Sequence, residues 1–160
     1  MNAVIALGSN LGDRRANLAA GVEGLGELGG VRVSSLVMET PDESGRGPDY
    51  LNTVALLATA IDDPRRLLEA LLRIELRCGR DRTQGRNAPR TLDLDLIAVG
   101  GESGKWTWEA PEELRLLGPE LSLELPHPRA FTRPFVLEPW RALTDSGECG
   151  GVIPGAQLPE

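Results

Sequence analysis

Hydrophobic and polar positions along this chain switch between two periods, and the switches mark its elements. Residues 3–8 (AVIALG) are a short apolar run ended by a glycine turn, the pattern of a buried strand. Leu18, Val22, Leu25 and Leu28 then recur at helical spacing and predict an amphipathic helix over 13–28. Its glycines lower its intrinsic stability, so packing must hold it. Residues 31–39 (VRVSSLVME) and 50–61 (YLNTVALLATAI), rich in Val, Thr and Leu, predict two strands separated by a loop with Pro41, Gly45, Gly47 and Pro48. Pro64 opens and Gly79 closes a second helix, PRRLLEALLRIELRCG. Residues 92–99 (LDLDLIAV) form a strand that is wholly apolar after its second Asp.

The order is β-α-β-β-α-β. That is the split pattern of an α+β, ferredoxin-like sandwich, an antiparallel sheet covered on one face by two helices. Residues 100–126, with Trp106, Trp108 and an acidic stretch, predict an extra hairpin or a short helix, and 130–143 predict short helical turns limited by Pro134 and Pro139. The tail from Gly147 reads as irregular. A length of 160 residues with no repeat or linker predicts a single domain over 1–160, and a chain of that size buries about 70% of its unfolded surface.

Composition narrows the classes. Two cysteines, Cys78 and Cys149, make no disulfide framework and no C-x-x-C pair, which points to a reducing, cytoplasmic setting. One histidine, His127, excludes paired-imidazole metal sites. The longest near-apolar run, residues 54–61, is far too short to span a membrane, and the start lacks the basic region of a leader, so a soluble, unprocessed chain is expected. A net charge of −7 argues against nucleic-acid and anionic-membrane partners. Nevertheless Arg73, Arg77, Arg80, Arg82, Arg86 and Arg90 crowd a stretch whose only acids are Glu75 and Asp81. Arginine matches phosphate bidentately, so the stretch reads either as an anion site or as a solvated basic helix face.

Asp93 and Asp95 carry the clearest chemistry. Residues two apart on a strand point to the same side, so these carboxylates lie together while Leu92, Leu94 and Leu96 face the other way. Two adjacent carboxylates repel, and the simplest way to keep both ionised among apolar neighbours is a hard cation such as magnesium beside substrate phosphates; taken alone, D-x-D on a strand is more often two solvated surface acids, and the neighbouring arginines tip the reading to the cation. Glu75 stands where the buried stripe of Leu68, Leu71 and Leu72 calls for another leucine. Its burial costs several kcal/mol unless it is paired, so it is either tied to an arginine or set at a ligand pocket. The loop 80–90, with Gly85, Asn87 and Pro89, is long enough for an arginine-bearing lid. GSNLGD at 8–13 lacks the G-K-[ST] ending of a phosphate loop and is better read as a tight turn with Asp13 capping the first helix. His127, between Pro126 and Pro128, is either structural or a donor at a phosphate rim. Tyr50 and Asn52 share a strand face and would supply one ring and one amide to a flat heterocycle.

Taken together, GSNLGD, TP at 40–41, PDYLN at 48–52, IE at 74–75, GRDR at 79–82, RNAPRTLDLDLI at 86–97, LPHPR and RPFVL resemble one family in order and spacing from residue 4 to about 140. It is the 6-hydroxymethyl-7,8-dihydropterin pyrophosphokinase family of the folate pathway. The resemblance implies a ferredoxin-like, three-layered α-β-α sandwich and transfer of diphosphate from ATP to the hydroxymethyl group of the dihydropterin, releasing AMP. It further implies that Asp93 and Asp95 hold two magnesium ions and that Arg80 and Arg82 clamp the triphosphate from a mobile loop. Glu75, Arg90, His127 and Arg133 would contact nucleotide or phosphate. Tyr50 and Phe135 would sandwich the pterin, while Asn52 with groups near Thr40 reads its polar edge. Asn87 stands where some members carry tryptophan, Pro128 where others carry tyrosine, and the segment 100–124 is longer than in those members. A monomer is expected, with ATP and the dihydropterin as small-molecule partners. The rivals are an RNA-binding domain, for which the sheet aromatics and basic charge are too few, and another magnesium-dependent nucleotidyl transferase using the same D-x-D.

Overall fold

In the computed structural model, residues 1–42, 45, 47–79 and 91–145 are described. Strand β1 (Asn2–Ser9) runs through the middle of an antiparallel sheet, with β4 (Tyr50–Thr59) on one side and β5 (Asp93–Val99) on the other. The far edge of β4 carries two short strands in succession, β2 (Gly29–Val33) and β3 (Met38–Thr40). The sequence predicted one strand over 31–39, but this edge breaks at Ser34. The Ser34 hydroxyl accepts a hydrogen bond from Leu36 N–H while its own N–H donates to Val54 O, and this local turn lifts residues 34–37 out of the ladder.

The two helices predicted by periodicity form, as α1 (Arg14–Gly26) and α2 (Pro64–Arg77). Asp13 caps α1 by accepting from Ala16 N–H, as expected of the GSNLGD turn, and Asp63 caps α2 through Arg65 N–H. The glycines of α1 explain how so weak a helix persists: a Cβ on Gly24 would sit 2.8 Å from Ile74 Cγ2 of α2, and one on Gly21 would press on Leu92 and Leu7. Close approach of the helices replaces the propensity that glycine forfeits.

Alternation along β1 divides the core in two. Ala3, Ile5 and Leu7 face α1 and α2, meeting Leu18, Leu25, Leu67, Leu71 and Ile74. Val4, with Val54 and Ile97, faces the opposite way, onto α3 (Pro134–Asp145) through Val136, Trp140 and Leu143. Residues 130–143 were expected to be helical turns interrupted by proline. Pro134 instead opens α3, where its missing N–H costs nothing, and Pro139 lies buried inside the helix, which runs on because the Val136–Trp140–Leu143 stripe is anchored to the sheet.

The segment 100–126 supplies both elements foreseen as alternatives, a hairpin of β6 (Gly104–Glu109) and β7 (Glu120–Leu125) and, between them, a 3-10 turn at Glu112–Leu117. Trp106 and Trp108 alternate along β6 and pack against the α2 side of the core. The fold is therefore α+β with antiparallel sheets, and no helix of the described residues is long and apolar enough to cross a membrane.

Candidate active site

The register of the central sheet builds the site. Gly8 lies opposite Asn52 of β4 and opposite Asp93 of β5, while Ala6 faces Val54 and Asp95. These residues lie on the same sheet face as the α3 core, but α3 covers only the half that carries Val4, Val54 and Ile97. The other half is left as an open cleft of about 750 Å³, lined among others by Asp93, Asp95, Tyr50, Asn52, Thr40 and Phe135, with His127, Arg129 and Arg133. That size suits a small-molecule ligand, for which about 300–1,000 Å³ is usual.

Each wall has a local cause. The period of two aims Asp93 and Asp95 into the cleft while Leu94 and Leu96 are buried beneath them. Asn52 is 7% exposed and donates from Nδ2 to Thr40 Oγ1 at 2.8 Å, which fixes the amide plane and joins β4 to β3. Tyr50 lines the cleft, and the segment before it is tied down from the turn before α1 and from its first residue: Asn10 Nδ2 donates to Pro48 O at 3.2 Å, and Arg14 donates to Asp49 O at 2.9 Å. The GSNLGD turn thus holds the cleft wall rather than cradling a phosphate. Gly8 forms the floor; a Cβ there would lie 3.2 Å from Asn52 Oδ1 and 3.3 Å from the Tyr50 ring.

The opposite rim follows β7. His127 N–H donates to Ile97 O at 2.7 Å, stitching the rim to the end of β5. Its Nδ1 accepts from Arg129 N–H at 3.2 Å, so the ring proton resides on Nε2. Burial first, then the charges of Arg133 and Arg129, hold the imidazole below its ordinary pKa, against the opposing pull of Asp93 and Glu124. His127 is therefore a neutral N–H donor near pH 7. The Arg133 guanidinium lies over the Phe135 ring, 5.5 Å from its centroid, which puts a cation beside an aromatic wall.

Eight residues singled out in the sequence thus converge on one cleft: Thr40, Tyr50, Asn52, Asp93, Asp95, His127, Arg133 and Phe135. Arg80, Arg82 and Arg90, with the lid residue Asn87, lie outside the described residues. Glu75 is not among the described residues that line the cleft. It is 1% exposed at the end of α2 and accepts a hydrogen bond from Leu94 N–H at 2.8 Å, on the side of β5 away from the cleft, because the stripe on which it stands is turned to the core. The structure adds Gly8, Asp42, Ser122 and Arg129 to the lining. Of these only Gly8 and Arg129 had a sequence signal, as parts of GSNLGD and LPHPR.

An antiparallel sheet in an α+β fold thus gathers paired carboxylates, a ring, an amide and a cationic rim in one cleft, an arrangement compatible with phosphoryl transfer to a heterocyclic substrate. Comparison with known proteins gives the class its particular form. Residues 4–145 match the model of the 7,8-dihydro-6-hydroxymethylpterin-pyrophosphokinase family, and the chain belongs to that family. The 2-amino-4-hydroxy-6-hydroxymethyldihydropteridine pyrophosphokinase of Mycobacterium leprae is 38% identical over 145 residues, covering 91% of this chain and 73% of its own. The enzyme of the same name from Pseudomonas aeruginosa is 37% identical over 159 residues, with 98% and 86% covered. Among solved structures, Plasmodium falciparum HPPK-DHPS superposes with a TM-score of 0.57 at 14% identity, over 85% of this chain and 38% of that one, and so speaks for the fold alone.

Proposed function

We propose that this chain transfers diphosphate from ATP to the hydroxymethyl group of 6-hydroxymethyl-7,8-dihydropterin, giving AMP and the dihydropterin diphosphate in folate biosynthesis. The observation that carries the reading is the meeting, at the uncovered end of one sheet face, of Asp93 and Asp95 with Tyr50, Asn52, Thr40 and Phe135. Tyr50 and Phe135 hold the pterin ring between them, and Asn52, its plane set by Thr40, reads the polar edge. His127 donates Nε2–H to a phosphate oxygen without adding charge, and Arg133 supplies charge at the rim. Arg80, Arg82 and Arg90 are assigned to triphosphate contacts on the family resemblance.

Asp93 and Asp95 fit magnesium. They are two hard oxygen donors on one side of a strand facing the cleft, and among the described residues no group of three His, Cys, Asp or Glu could hold a metal ion. Two carboxylates with water and phosphate oxygens completing the shell is magnesium's usual arrangement. When bound, two such ions would neutralise phosphate charge and lower the pKa of the attacking hydroxyl. The protein's own task is then positioning: the pterin slot and the cationic rim bring hydroxymethyl oxygen and β-phosphorus into line.

The finer fold reading, a ferredoxin-like α-β-α sandwich forming one domain over 1–160, is supported by α1 and α2 on one sheet face and α3 on the other. A monomer is assigned, and a cytoplasmic setting accords with Cys78, whose thiol is free and pushed up by burial. The deciding experiment is an AMP-release assay from MgATP with and without the dihydropterin. AMP formed only with the pterin supports the transfer; no AMP from a folded sample that binds MgATP favours the nucleotidyl-transferase rival.

A further inference from the structure

Glu75 occupies a position that the reaction as derived leaves unused. It is one of the least exposed side chains in the protein, at 1%, and it is a carboxylate. A leucine would complete the apolar stripe of α2 without the several kcal/mol that burying a polar group costs. What the carboxylate does instead is specific: Oε1 accepts from Leu94 N–H at 2.8 Å. Leu94 is the residue between Asp93 and Asp95. In the ladder, Asp93 and Asp95 are opposite Gly8 and Ala6 of β1, so the sheet holds the backbone on either side of Leu94, while the Leu94 amide itself is held by Glu75. β5 lies at the end of the sheet path, and an edge strand has no second ladder to fix the peptide planes that turn outward. The Leu94 N–H belongs to the Asp93–Leu94 peptide plane, and a rotation of that plane would shift the backbone from which both carboxylates project. The hydrogen bond from the Leu94 amide to Glu75 Oε1 opposes that rotation.

We propose that Glu75 is a positioning residue for the Asp93/Asp95 pair, acting through the Leu94 amide to set the separation and aim of the two cleft carboxylates. The inference rests on the reading of Asp93 and Asp95 as magnesium ligands. Outer-shell partners that orient metal-binding side chains are worth about 10- to 100-fold in metal affinity. Glu75→Leu keeps volume and removes the acceptor; Glu75→Gln keeps an acceptor oxygen; Asp95→Ala tests the metal reading itself.

Mn²⁺ is titrated by electron paramagnetic resonance in the presence of a non-hydrolysable ATP analogue, alongside the analogue's metal-free affinity, the pterin affinity and the melting temperature. For Glu75→Leu the expected result is a 10- to 100-fold loss of Mn²⁺ affinity with pterin and metal-free nucleotide affinities unchanged, and recovery of most of the loss in Glu75→Gln. Should Glu75→Leu fail to fold, Glu75→Asp, whose shorter side chain cannot span the 2.8 Å contact, is expected to show the same selective loss. A folded variant that binds Mn²⁺ like the parent while Asp95→Ala does not overturns the role of Glu75 and leaves the metal pair standing. Loss of metal-free nucleotide binding would restore Glu75 as a nucleotide contact. Parental Mn²⁺ affinity in Asp95→Ala would remove the metal reading on which the inference rests.

Discussion

At the scale of single residues, the cleft assigns roles that single substitutions test. Asp95 has an apolar flank in Leu94 and Leu96 and faces the cleft with Asp93. Metal-assisted charge neutralisation is worth several kcal/mol, so Asp95→Asn should lower kcat by about 100-fold or more at 1.4 kcal/mol per decade, with the circular dichroism spectrum unchanged. Turnover near the parental rate would exclude a ligand role. Gly8 works by what it lacks. A methyl at 3.2–3.3 Å from Asn52 and Tyr50 must push one of them aside, and overpacking of this kind costs about 1–3 kcal/mol. Titration calorimetry of Gly8→Ala should therefore show about tenfold weaker pterin binding with Mn²⁺ affinity unaltered; parental pterin affinity would place the ring elsewhere. For His127 the sign follows from the direction of its shift. The folded pKa lies below the unfolded one, so the unfolded chain binds the extra proton. The stability tied to the neutral ring is present above about pH 6.5 and is lost as pH falls below it. The melting temperature of the free protein should fall more steeply between pH 7.5 and 5 than that of His127→Asn. Parallel curves would mean that the ring does not titrate in this window.

At the scale of elements, the hairpin was the least legible part of the sequence, and the reason is physical. Trp106 and Trp108, and Leu121, Leu123 and Leu125, do follow a period of two, but the turn at Glu112–Leu117 separates the two strands, and the α2 side chains that they cover lie far away in the chain. The same distance hid Glu69. It looks like an ordinary polar position on a helix, yet its side chain is 2% exposed because β6 lies over it, and its carboxylate accepts from both Arg66 and Trp108 Nε1. By contrast, D-x-D, Tyr50 with Asn52 and the α1 cap were readable, since each depends on a period of two or on a cap at its own helix end. The split between β2 and β3 was not, because it rests on one serine hydroxyl competing with the ladder. The hairpin contact can be tested by Trp108→Phe, which keeps an aromatic side chain and deletes the donor. A hydrogen bond to a charged acceptor is worth about 1.5–3 kcal/mol, and each kcal/mol moves the melting point of a chain this size by about 2–4 °C. A fall of about 3–12 °C is expected; no fall would show that the indole N–H is equally well satisfied by water.

At the scale of the whole molecule, a single sheet serves both cores, and its alternation sends Ile5 and Leu7 to one and Val4 to the other. A strand cannot leave one core without leaving the other, so the two layers should unfold together even though they share few side chains. The tryptophans allow a direct test, because Trp140 reports from the α3 side and Trp106 with Trp108 from the α2 and hairpin side. Trp140→Phe keeps only the hairpin reporters, and Trp106→Phe with Trp108→Phe keeps only the α3 reporter. In urea, the fluorescence midpoint of each variant should coincide with its own circular dichroism midpoint, the mark of a two-state transition. A hairpin signal that melts ahead of the ellipticity would instead make β6 and β7 a separate, weaker unit. The rim at His127, which follows directly from β7 and is tied to Ile97, could then detach while the Asp93/Asp95 strand stayed folded. Under the cooperative reading the cationic rim and the carboxylate pair are held in register by the same equilibrium, so a substitution that weakens either core lowers the population of a complete cleft by the same factor.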